Sequence, residues 1–120
     1  MKLTDYEKTR IESQCQPLIE KLKSHYVQEN PNKEYSFLVD VYTKWYRDYL
    51  YFCEKYKSEK PNRTADEFEE KFVRLKIMNK NKFDISYMRY TGKWFQVASG
   101  LTLNQCLEMI ETTPTLHPIG

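Results

Sequence analysis

Imidazoles, thiols and glycine-rich turns serve catalysis, metal binding and phosphate binding, and this chain holds two His, three Cys and three Gly in 120 residues. Gly92, Gly100 and Gly120 assemble neither G-x-G-x-x-G nor a P-loop, which excludes nucleotide binding through a glycine-rich turn. His25 and His117 belong to no H-E-x-x-H pair and neither adjoins a cysteine. His25 suits the negative end of a helix dipole, and His117 sits in a proline-flanked tail. Cys15, Cys53 and Cys106 are odd in number and widely separated. Each falls on the apolar side of an expected helix, where a free thiol behaves as a small hydrophobe. A three-thiolate metal site would require three helices to converge, and nothing in the spacing asks for it.

One acidic group could do metal chemistry. Asp66, Glu67, Glu69 and Glu70 stand beside Lys71, with Asp84 further on. Metal-dependent nucleases place carboxylates and a lysine at one end of a sheet, where they hold Mg²⁺ and an attacking water. The chain lacks the E-x-K on a third strand that would complete such a set, so a solvated charge cluster is the simpler account. No catalytic residues, metal or cofactor are expected, and the chain reads as non-enzymatic.

Binding chemistry is better supplied. Alternation along residues 72–98 turns Arg74, Lys76, Met88, Tyr90, Trp94 and Gln96 to the side of a small sheet away from its apolar residues. Rings there can stack on bases while Lys and Arg neutralise phosphates. Were a helix to cover that face, Trp94 would be core and the cations only its rim. A second candidate surface is an interface through Tyr46, Tyr49 and Tyr56, because tyrosine buries area and still forms hydrogen bonds.

The elements that must carry these residues follow from capping and periodicity. Thr4 and Glu7 form a capping box, and Ile11, Cys15, Leu18, Ile19 and Leu22 recur at helical spacing behind it. Pro17 interrupts the stripe and predicts a kink or two shorter helices. In residues 35–57, winding at 100° per residue gathers Asp40, Lys44, Arg47, Asp48, Glu54 and Lys55 on one arc and the aromatics on the rest. This predicts a second helix, although Tyr35, Phe37, Val39 and Val41 also alternate as a strand would. Residues 58–66 form a polar connector. Strands are predicted at 72–78, from Phe83 and after Thr91-Gly92, joined by hairpins. Thr102 and Gln105 open a last helix with Leu103, Leu107 and Ile110 on its buried face. The expectation is one α+β domain over residues 1–120: two N-terminal helices, a three-stranded antiparallel meander and a short C-terminal helix.

The net charge of +2 is too small to imply a polyanion partner by itself. No apolar run approaches the length of a membrane span and no signal-peptide core opens the chain, so a cytoplasmic protein without a membrane partner is expected.

Two stretches resemble a family of small bacterial proteins known only as a domain of unknown function. Arg10-Ile11-Glu12 followed by Leu18-Ile19-Glu20-Lys21 is similar to its opening helix. Phe83, Tyr87, Arg89, Lys93 and Trp94 match the spacing of its aromatic–aromatic–Arg–Lys–Trp hairpin, ahead of a short acidic helix and a terminal Gly120. The resemblance implies the fold and carries no activity, cofactor or site.

These readings converge on a non-enzymatic binding or interaction domain whose partner is another protein or a second copy of itself. The alternative is nucleic-acid binding through the outer sheet face. A double-stranded-RNA-binding role fits poorly, since residues 102–108 at the start of the last helix contain no Lys or Arg to grip phosphates.

Overall fold

The computed structural model describes residues 3–59, 66–79 and 81–118. Its architecture is α+β: a helix, a five-stranded antiparallel sheet and a second helix, in that chain order. Helix α1 (Asp5–Tyr26) begins at the capping box, where Thr4 Oγ1 accepts from the Glu7 N–H at 3.1 Å and Glu7 Oε1 accepts from the Thr4 N–H at 3.0 Å. Its predicted stripe of Ile11, Cys15, Leu18, Ile19 and Leu22 is buried. The helix runs through Pro17 without dividing. Pro17 and Ser13 both lie on the exposed side, where water can take the hydrogen bond that proline cannot donate.

The sheet consists of β1 (Phe37–Tyr46), β2 (Tyr49–Lys57), β3 (Glu67–Asn79), β4 (Lys82–Met88) and β5 (Trp94–Leu101), in the spatial order β1-β2-β3-β4-β5. Helix α2 (Leu103–Thr112) follows behind a second capping box, in which Thr102 Oγ1 accepts from the Gln105 N–H at 3.2 Å. Both helices pack on one face. The core there joins Ile11, Ile19 and Leu22 of α1 and Cys106 and Ile110 of α2 to Val41, Leu50, Phe52, Leu75, Phe83 and Ile85 of the sheet. Each fully buried aliphatic or phenyl side chain contributes about 2 kcal/mol by leaving water.

Two glycines shape the far edge of the sheet. Gly92, at φ +80°, ends a turn in which its N–H bonds the Arg89 carbonyl at 2.9 Å, while the Arg89 N–H bonds the Lys93 carbonyl at 3.0 Å. This is a three-residue hairpin closed by a left-handed residue. Gly100, at φ +67°, sits where the β4–β5 register shifts, and its N–H donates to Asp84 Oδ1 at 3.0 Å. Asp84 therefore holds a bulge.

The tail is fastened through His117. Its Nε2 lies 2.7 Å from the Ile110 carbonyl and 3.1 Å from that of Glu111, and its Nδ1 lies 2.7 Å from the Tyr26 hydroxyl. With Nε2 donating to the two carbonyls and Nδ1 accepting from the Tyr26 hydroxyl, all three contacts are satisfied.

The second predicted helix is overturned. Residues 35–57 hold β1 and β2, joined at Arg47-Asp48, so the sheet has five strands instead of three and one helix precedes it instead of two. Val41, Thr43 and Trp45 pair with Glu54, Phe52 and Leu50 toward the helices, while Tyr42, Lys44 and Tyr46 pair with Cys53, Tyr51 and Tyr49 on the other side. Val, Thr, Tyr and Trp lose side-chain freedom in a helix and fit a pleated surface well. The charged arc was a coincidence of two strands whose alternation restarts at the turn. Residues 66–71, expected to lead into the sheet, belong largely to β3 itself. Most of the predicted polar connector, residues 60–65, lies outside the described residues, as do Lys80 of the predicted hairpin loop and Gly120.

Candidate functional site

The face of the sheet opposite the helices is open among the described residues, and the predicted basic and aromatic residues stand on it with one exception. Cross-strand pairing sets Lys44, Tyr51, Arg74, Ser86 and Gln96 in one row across all five strands. Tyr46, Tyr49, Lys76 and Asp84 form the adjacent row, and Met88 pairs with Trp94 at the far edge. The exception is Tyr90. It lies in the Arg89–Lys93 turn, 95% exposed, at the hairpin tip and off the sheet.

Arg74 is the centre of this surface. Its guanidinium carbon is 4.7 Å from the ring centroid of Tyr49 and 4.7 Å from that of Trp94. Tyr49 belongs to β2 and Trp94 to β5, so the two rings approach from opposite sides of β3. Tyr51 stacks on Tyr49 at 5.8 Å and also meets Trp94 at 5.8 Å. β2 and β5 are three strand spacings apart, about 14 Å. Both side chains must therefore lean inward over the small, buried Ser86. Arg74 and Lys76 form no ion pair among the described residues. Asp84, opposite Lys76, is committed to the Gly100 N–H.

The neighbouring part of the same face is electrically satisfied. Glu69 accepts from the Tyr42 hydroxyl, lies 3.3 Å from Lys71 Nζ and lies 3.6 Å from Lys44 Nζ. The Tyr42 hydrogen bond, helped by the two ammonium groups and opposed by partial burial, holds the Glu69 carboxyl below the usual glutamate range. Burial, and then the carboxylate beside it, pushes the Tyr42 phenol up. Lys55 faces Glu67 at 3.9 Å. On the strands of this face, the cations without carboxylate partners among the described residues, Arg74 and Lys76, stand beside the rings.

The tyrosines predicted as an interface separate. Tyr46 and Tyr49 are cross-strand neighbours on the open face, and Arg47 covers the Tyr46 ring at 5.3 Å. Tyr56 points to the helix side, stacked on Phe68 at 5.2 Å with its hydroxyl 3.0 Å from Glu54 Oε2. No single surface presents all three. The acidic residues do not converge either. No three His, Cys, Asp or Glu side chains among the described residues are grouped to hold a metal ion. The thiols are buried and free, and burial first, then neighbouring acids, raises Cys15 to about 12 and Cys106 to about 12. Burial raises Cys53 to about 11, with Glu69 adding to the shift.

The profile of a family described as a domain of unknown function, DUF3024, matches residues 3–117. The chain belongs to that family. No curated protein and no solved structure matches it. The match to DUF3024 spans the whole sheet, including the β1–β2 hairpin whose periodicity suggested a helix. It assigns no residue a role. No helix among the described residues is long and apolar enough to cross a membrane.

Sequence reasoning missed Tyr51, Tyr42, Lys44, Lys71 and Glu69 as members of this face. The first three were hidden by the helical reading of residues 35–57. The signal that could have found them is the alternation Tyr49, Tyr51, Cys53, Lys55, which places every second residue on one side of a strand.

Proposed function

We propose that this protein is a non-enzymatic binding domain that holds nucleic acid on the open face of its sheet. The observation that carries the reading is Arg74, a part-buried residue whose guanidinium is flanked by two aromatic rings and has no carboxylate partner among the described residues. Partly burying a cation costs free energy unless an acceptor answers it, and Arg is the side chain best matched to phosphate oxygens. Lys76 adds a second positive charge, while Tyr51, Met88 and Gln96 supply flat, apolar and hydrogen-bonding surface beside it. Surfaces that bind single strands combine these same elements, a positive track and exposed rings.

A fluorescence titration at low salt with single- and double-stranded oligonucleotides tests the proposal. Binding that falls on Trp94→Ala and on Lys76→Ala is expected. Absence of binding, or binding indifferent to both substitutions, refutes it.

Self-association is a second reading, now favoured by a different element. The edge strand β5 contains no charged residue, and Phe95 and Val97 on it are 48% and 40% exposed. Uncharged edges invite pairing with another strand. Light scattering decides this reading: a monomer at millimolar concentration removes it.

A further inference from the structure

We infer that the ligand of this face is single-stranded and that Arg74 grips its phosphate through the edge of the guanidinium, with Tyr49 and Trp94 as positioning rings instead of base platforms. The inference rests on the nucleic-acid reading and adds the class of strand and the division of labour.

Width argues for the single strand. A sheet enters duplex DNA as a two-stranded ribbon, because the major groove is about 12 Å wide. Five strands span four spacings, about 19 Å, so this face cannot enter the groove. Against an undistorted duplex it would meet mainly the phosphates. Yet Lys44 and Lys71 are engaged by Glu69 and Lys55 by Glu67, which leaves Arg74 and Lys76 as the strand-borne cations of this patch without an acid among the described residues, with Arg47 lying over Tyr46 at the β1–β2 turn. Two contacts hold a rigid duplex weakly. A flexible strand can bring successive phosphates to both cations and lay its sugars and bases on the surrounding side chains.

The rings argue for the edge grip. The guanidinium lies over Tyr49 and over Trp94, each at 4.7 Å, on opposite sides of β3. Flanked in this way, it cannot also serve as a stacking plane for a base. Its in-plane N–H donors remain, in the fork geometry that matches two phosphate oxygens. The rings hold that fork in place before a ligand arrives, so less freedom is lost when it binds. A lysine at position 74 would keep the charge and lose both the fork and the stacking.

The test is fluorescence anisotropy with a labelled 15-nucleotide single strand of mixed sequence, its duplex, and vesicles of anionic phospholipid, over about 20–200 mM salt. Circular dichroism confirms that Arg74→Lys, Arg74→Ala and Trp94→Phe keep the fold. The wild type is expected to bind the single strand at least tenfold more tightly than the duplex. Two phosphate contacts predict a slope of log K against log salt near about −1.4. Arg74→Lys should keep that slope and weaken binding about fivefold or more, and Arg74→Ala should flatten it to about −0.7. Arg74→Lys binding like wild type would overturn the edge grip, and duplex binding equal to or tighter than single-strand binding would overturn the strand class. Failure of the wild type to bind either oligonucleotide, with or without vesicle binding, would overturn the parent proposal and this inference together.

Discussion

Replacing His117 with alanine tests whether the C-terminal tail is a structural part of the domain. The imidazole forms two hydrogen bonds of 2.7 Å, one with the Tyr26 hydroxyl near the end of α1 and one with the Ile110 carbonyl near the end of α2. Each is worth about 1 kcal/mol net. The edge-on contact of the Tyr26 and His117 rings, with centroids 5.7 Å apart, adds about 0.5 kcal/mol. His117→Ala should therefore cost about 2–3 kcal/mol. At about 2.1 cal/mol/K per residue, the unfolding entropy of a 120-residue chain is about 0.25 kcal/mol/K, so the melting temperature should fall by about 8–12 °C. Thermal denaturation followed by circular dichroism reads the shift. Tyr26→Phe alone should cost about 1 kcal/mol, and it should cost nearly nothing once His117 is already alanine. A His117→Ala protein that melts within about 2 °C of its parent would refute the latch, as would strict additivity of the two substitutions.

Three other outcomes follow from the same coordinates. Because the folded state lowers the Glu69 pKa, its carboxylate adds stability that is complete above the ordinary glutamate range near 4.3 and is lost as pH falls through the lowered value. Glu69→Gln should thus be less stable than wild type at pH 7 by urea denaturation, and the gap should close in acid. The three thiols, buried and raised to about 11–12, should resist a thiol reagent at pH 8 in the native protein and react together in guanidinium; rapid native labelling of Cys53 would contradict its burial. Arg47 holds a left-handed φ of 53° in the β1–β2 turn. Arg47→Gly should therefore be more stable than Arg47→Ala by about 0.5–1 kcal/mol, and equal stabilities would show that the turn relaxes at little cost.

Where a local rule had no competitor, the sequence was enough to read the structure. Both capping boxes, Thr4–Glu7 and Thr102–Gln105, stand where spacing put them, because each closes within one helical turn and owes nothing to distant residues. That Met88, Trp94 and Gln96 share the side of the sheet that carries Arg74 likewise followed from alternation, but the expected two-residue turn would have paired Met88 with Phe95 instead of Trp94. Tyr90 escaped because the hairpin loop takes three residues instead of two, which removes it from the strand. The segment from Phe37 to Lys57 failed for a different reason. Two strands joined by a two-residue turn keep nearly the same charge spacing as a helix, and the helix also accounts for Asp40 and Lys44. What decides between them is a long-range fact, the pairing of Tyr49, Leu50 and Tyr51 with Lys76, Leu75 and Arg74. The cluster around Arg74 was out of reach for the same cause, since it draws on β2, β3 and β5 at once.

The neighbour-to-neighbour order of the strands also governs how the chain can fold. Each strand bonds to the one before it, so the meander can zip up hairpin by hairpin with short loops to close and little entropy spent at each step. The helices are different. Lys21 meets Glu111 at 2.6 Å across 90 positions of sequence, so their mutual docking must wait until the intervening sheet has been made. Until then, Leu50, Phe52, Leu75 and Ile85 would face water on an uncovered ribbon. The period before α1 and α2 meet is therefore when this protein is most exposed to aggregation, and slow synthesis of the segment that carries α2 should lengthen it.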